Sequence, residues 1–122
     1  MENNLSNFEY KDNYDIETRK KKSEELLKKY PNRVPVVLET SPNSHLKKLQ
    51  KKHYLLPKNR KFFDFHIGVR KLFELSNEQS LFLISNHHIL NTDRTIGEIY
   101  NLFKDKEDNI LYIHIYDEII YG

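Results

Sequence analysis

The sequence predicts an α+β fold: a four-stranded mixed sheet gripping one central helix, the β-grasp arrangement, preceded by an N-terminal helical segment. Three observations carry this expectation. Apolar residues switch between helical spacing and short strand-like runs, in the order α–β–β–α–β–α–β. Prolines punctuate the pattern, Pro31 after the first helical stretch and Pro57 after the second strand run. Finally, 122 residues suffice for one core and leave little for a second. The expected organisation is one domain over 1–122, with a helical extension at 1–30, a β-grasp core at 33–116 and a tail at 117–122.

Residues 16–30 (IETRKKKSEELLKKY) place Ile16, Ser23, Leu26, Leu27 and Tyr30 along one side at helical spacing. A residue before proline is pushed out of the helical region, so Pro31 stops this helix. Its apolar stripe is narrow and its other face lysine-rich, as in a surface helix lying on something larger. RVPVVLE (33–39) is β-branched and followed by the turn-rich TSPNS, which reads as a strand and its exit. Pro35 lacks an N–H and belongs near the strand's start or at an unpaired position. HYLLP (53–57) is a second short strand.

In residues 60–75, Phe62, Phe65, Val69, Leu72 and Phe73 repeat as a buried helix face. Gly68 within it costs about 1 kcal/mol relative to alanine, so it either answers a packing need or is a weak spot. SLFLIS (80–85) is an apolar run of strand length, broken by Asn86, His87 and His88. TIGEIYNLF (95–103) gives a short helix with Ile96, Ile99, Tyr100 and Phe103 on one face. Thr95 and Glu98 have capping-box spacing, with Thr92 or Asp93 as alternative caps. ILYIHIY (110–116) is the strongest strand and leads into the tail DEIIYG.

Composition argues against several kinds of function. Without cysteine there is no disulfide framework, thiol nucleophile or thiolate metal site, and the chain fits a reducing compartment. The N-terminus lacks an apolar signal region and no run reaches ~18 apolar residues, so a cytoplasmic location is the simplest expectation. Three well-separated glycines provide no phosphate loop, and no serine stands in a nucleophile-elbow context. His87–His88, the one adjacent pair among six histidines, lacks HxxxH or HExxH spacing. Glu24 and Glu25 sit on a solvated helix face. No catalytic residue, cofactor or metal ligand is expected, and the chain does not read as an enzyme.

Charge is uneven. Residues 1–61 hold 15 Lys/Arg against 8 Asp/Glu, a balance of +7, and residues 62–122 hold 5 against 10, a balance of −5. Such a chain either presents a positive face to a partner or merely solvates its helices with long lysines. Lys20–Lys22, Lys28–Lys29, Lys47–Lys48 and Lys51–Lys52 could track RNA phosphates or an anionic membrane or microtubule surface. No aromatic RNP1-type motif accompanies them, so nucleic acid is not the expected partner.

Several stretches converge on one family. YKDNYDIETRKKKSEELLKKYPNRVPVVLE (10–39) resembles the start of the autophagy ubiquitin-like modifiers, the group that includes microtubule-associated light chain 3 and the GABA-receptor-associated protein. YPNRVPV is a specific signature, and KKHYLLP (51–57), SLFLISN (80–86), GEIY (97–100), KDKEDNILYIHIY (104–116) and the final YG follow in the family's order. The resemblance runs from Tyr10 to Gly122 and implies the ubiquitin-like fold.

It further implies a modifier whose Gly122 is adenylated by an activating enzyme, passed on by conjugating enzymes and joined to phosphatidylethanolamine. A deconjugating cysteine protease would be a further partner. With Gly122 already terminal, no protease is expected before activation. The lipidated form would sit on the autophagosome membrane and recruit cargo receptors and adaptors through an aromatic-x-x-aliphatic motif, paired to the edge strand 53–57 by β-augmentation.

By position, the resemblance implies an aromatic pocket of Leu26, Pro35, Lys51, Leu55 and Ile110. It implies an aliphatic pocket of Tyr54, Leu56, Pro57, Phe65 and Val69, with Arg33 and Arg70 pairing with ligand acids. Gly68 stands where relatives carry an aliphatic pocket residue, His53 replaces a usual lysine, and Arg60–Asp64 departs from the family pattern. Two other readings stay open: a ubiquitin-like adaptor that is never conjugated, and a small RNA-binding domain.

Overall fold

The computed structural model describes residues 8–118. Two helices, α1 (Glu9–Asn13) and α2 (Ile16–Lys29), precede β1 (Arg33–Thr40) and β2 (His53–Pro57). Then come α3 (Phe62–Leu72), β3 (Phe82–Ser85), β4 (His88–Ile89), α4 (Ile96–Phe103) and β5 (Leu111–Tyr116). The strands form one mixed sheet in the order β2-β1-β5-β3-β4, with β1 and β5 parallel and every other pair antiparallel.

The sheet therefore has five strands where the sequence suggests four. Asn86 and His87 make a tight hairpin turn, both with positive φ (50° and 67°), and the chain returns as the two-residue β4. Successive positive φ values are the signature of a type I′ turn, and asparagine tolerates that region better than most residues. The N-terminal segment is likewise two helices rather than one. Asp15 separates them and caps α2 through its side chain, which accepts from Thr18 N–H at 2.9 Å. α2 then ends at Lys29, ahead of Pro31.

β1 and β5 are buried on both faces, which is why they read as continuous apolar runs. Val34, Val36 and Leu38, with Leu111, Ile113 and Ile115, face a core completed by Phe62, Val69, Ile96 and Ile99 from α3 and α4. On the opposite face Val37, Ile110 and Tyr112 pack beneath Tyr10 of α1 and the neighbouring Phe8. The capping box forms at α4: Thr95 Oγ1 accepts from Glu98 N–H at 3.1 Å, and Glu98 Oε1 accepts from Thr95 N–H at 2.8 Å. Leu72 departs from the expected buried face of α3, being 47% exposed at the helix's last turn.

Candidate functional site

β2 is an outer strand of the sheet, with β1 on one side. Leu38 N–H donates to Lys52 C=O at 2.7 Å, and this bond sets the alternation of the β1–β2 ladder. Val36/Tyr54 and Val34/Leu56 are then the hydrogen-bonded pairs, and Pro35/Leu55 and Val37/His53 the non-bonded ones. Pro35 sits in a non-bonded pair, so its missing N–H takes nothing from β2. His53 and Leu55 direct their backbone groups away from β1, toward the open side.

Side chains of β2 alternate between the two faces. Tyr54 and Leu56 share the face of Val34 and Val36 and lean on the main core. There they line a groove of about 390 Å³ with Phe65, Gly68, Val69 and Leu72 of α3, and with Lys51 and Asp64 at its polar margin. The Tyr54 and Phe65 rings meet edge to face at 5.7 Å, and Lys51 Nζ lies 4.7 Å from the Tyr54 ring centre. Burial pushes the Tyr54 hydroxyl pKa up. A Cβ built at Gly68 would meet nothing within 4 Å, so its missing side chain leaves open space in the groove. Pro57 does not border this groove.

Leu55 shares the other face with Pro35, its partner across the ladder. That side is covered by the N-terminal helices. A cleft of about 440 Å³ runs between α1 and the β2 edge, lined by Tyr10, Asn13, Tyr14, Glu39, Lys51, Lys52 and His53 among others. Tyr10 meets the His53 ring edge-on at 4.8 Å. Burial lowers the His53 pKa; Lys22 and Lys52 add to that effect and Glu39 opposes it. The five residues assigned to an aromatic pocket are not gathered in this cleft, where Lys51 alone is at the wall. Ile110 is buried under Tyr10, and Leu26 is half-buried on α2.

Of the two arginines, Arg33 donates from Nη1 to Leu55 C=O at 3.0 Å. Arg70 turns the other way and donates to Ser76 C=O at 2.7 Å, closing the loop after α3. Gly122 lies outside the described residues. Among the described residues no cluster of His, Cys, Asp or Glu could hold a metal ion, and no helix is long and apolar enough to cross a membrane.

Sequence reasoning missed Leu72 and Asp64 as groove residues and α1 as the cover of the second face. Leu72 was recoverable, since Phe65, Val69 and Leu72 recur at helical spacing on one side of α3. The cover was not: α1 is five residues long and is anchored by a side chain far away in sequence, Glu39, whose carboxylate accepts from the N–H groups of Glu9 (2.8 Å) and Tyr10 (3.1 Å).

An arrangement of this kind can accept an extended chain beside β2. Residues three apart on such a chain point to opposite faces, one toward the Tyr54–Leu72 groove and the other toward Leu55 and the N-terminal helices. The family profile described as "Autophagy protein Atg8 ubiquitin like" matches residues 18–122. The crystal structure of Trypanosoma brucei ATG8 superposes with a TM-score of 0.83 at 26% identity, covering 96% of this chain and 100% of that one.

Proposed function

Since the chain belongs to the Atg8 family of ubiquitin-like autophagy proteins, we propose that it acts as a protein modifier, not an enzyme, conjugated through Gly122 to phosphatidylethanolamine. The family match runs through residue 122 and so includes that glycine. Activating and conjugating enzymes load the glycine, and a deconjugating cysteine protease releases it. Residues 117–122 serve as the tail of the single unit 1–122. The adduct carries two acyl chains, and two chains hold a protein on a bilayer where one gives only marginal binding. The unconjugated pool is cytoplasmic and the lipidated pool autophagosomal.

On the membrane the protein gathers cargo receptors and adaptors through an aromatic-x-x-aliphatic motif. The observation that carries this reading is the exposed edge β2, with Tyr54 and Leu56 directed to a groove on one face and Leu55 to the other. A motif of odd spacing fits an edge with a receptor on each face, and main-chain pairing supplies the rest of the affinity. The aliphatic residue goes to Tyr54, Leu56, Phe65 and Val69; the aromatic one to the side of Leu26, Pro35, Leu55 and Ile110, with Lys51 between them. Isolated motifs of this type should bind in the micromolar range, about −8 kcal/mol. Chemical-shift mapping with such a peptide should move Lys51–Pro57 and α3. Shifts confined to β3, β4 and α4 would refute the assignment.

A further inference from the structure

The open edge of β2 is partly closed by the protein itself. The ladder alternation turns the N–H and C=O of His53 and Leu55 outward, and Pro57 has no N–H to offer. An incoming strand therefore has two donor–acceptor residues to pair with. Leu55 C=O, one of those outward acceptors, already accepts from Arg33 Nη1 at 3.0 Å. Arg33 opens β1 and is exposed, and among the described residues no carboxylate lies within ion-pair distance of it.

We propose that Arg33 is a cap on the docking edge, exchanged for a carboxylate of the ligand when a motif binds; this rests on the reading of β2 as the docking strand. The guanidinium leaves the Leu55 carbonyl for the ligand acid, and the freed carbonyl takes a ligand N–H. A carboxylate is the stronger acceptor for an arginine, so the exchange is favourable for an acidic ligand. A neutral ligand must displace the same cap and receives no ion pair for it. One residue thus raises affinity for acidic motifs and lowers it for neutral ones, discrimination from both sides. In the unliganded protein the cap also withdraws an acceptor that a second copy's edge strand would otherwise pair with.

The test uses two peptides with one aromatic-x-x-leucine core, flanked by glutamates in the first and by glutamines at the same positions in the second. Each is titrated into the full chain as wild type, Arg33→Met and Arg33→Ala, with amide spectra reporting both fold and binding place. Methionine keeps an unbranched apolar stem, so one variant remains informative if the other is perturbed. Removing the cap should tighten the glutamine peptide by about two- to fivefold, the scale of one solvent-exposed hydrogen bond. It should also shrink the glutamate peptide's advantage. If the glutamine peptide binds the variants no more tightly than the wild type while the glutamate peptide loses affinity, Arg33 is a plain attractive charge and the cap is overturned. If neither peptide shifts β2 in the wild type, the docking-edge reading itself fails and takes the cap with it.

Discussion

Arg19 on α2 and Asp108 in the turn before β5 meet at 2.7 Å in the protein interior, and this contact fastens the N-terminal helices to the sheet. Asp108 is fully buried and also accepts from Ile110 N–H at 3.0 Å and from the Tyr112 hydroxyl. Its backbone carbonyl accepts from Ser23, one helical turn beyond Arg19. The Tyr112 hydroxyl is pushed well above its usual pKa, by burial first and by Asp108 beside it. All buried side-chain polar atoms among the described residues have partners. The cover over Val37 and Ile110 is therefore held by an internal charge network rather than by apolar packing alone.

Asp108→Ala should unmask that dependence. It leaves the Arg19 guanidinium, 8% exposed, without its carboxylate, and breaking a buried pair from one side costs about 3–5 kcal/mol. Urea unfolding should register a loss of that size. A loss below about 1 kcal/mol would mean that Arg19 finds water or another partner.

Gly68→Leu should separate groove shape from helix stability. With no atom within 4 Å of the added Cβ, overpacking is not expected, and α3 should gain up to about 1 kcal/mol. The new side chain would fill part of the groove beside Phe65 and Leu72. Motif peptides with a bulky aliphatic anchor should then bind more weakly while the melting temperature rises. Unchanged affinity would remove Gly68 from the docking surface.

Acidification should loosen α1 first. Glu9 accepts from Lys48 at 2.5 Å and from Lys52, and these bonds pull its carboxyl down to about 2 from the ordinary 4.5. A carboxyl depressed on folding stabilises the fold above its unfolded pKa, and that contribution is lost as pH falls through the folded one. The window is thus pH 4.5 down to 2. The effect should be modest because the pair is largely exposed. Protection factors at Tyr10–Asn13, corrected for the intrinsic pH dependence of amide exchange, should fall across that window while those of β1 and β5 hold. Glu9→Gln should flatten the response, and identical profiles for both proteins would contradict the assignment.

Much of this was legible in the sequence wherever the determinant is local. Pro31 stops α2, Thr95 and Glu98 cap α4, and the run 53–57 is a strand. What escaped is long-range or too short to be periodic. β4 has two residues, and its turn uses Asn86–His87 where Asn–Gly would have announced a hairpin. Arg19 and Asp108 lie 89 positions apart, so nothing local marks Arg19 as buried within a lysine-rich helix. For the candidate site, the two-sided character of 53–57 follows from strand alternation. The open space at Gly68 and the Arg33 cap depend on how β1, β2 and α3 come together.

The proposed lipidation makes Gly122 a substrate. The direct measurement is reconstitution with activating and conjugating enzymes shown to work on another family member, together with ATP and phosphatidylethanolamine liposomes. The account predicts a detergent-soluble, phospholipase-sensitive adduct whose mass spectrum places the lipid on Gly122, and its loss on deletion of that residue. An adduct that survives the deletion, or a wild-type protein that never forms one under those conditions, would contradict it.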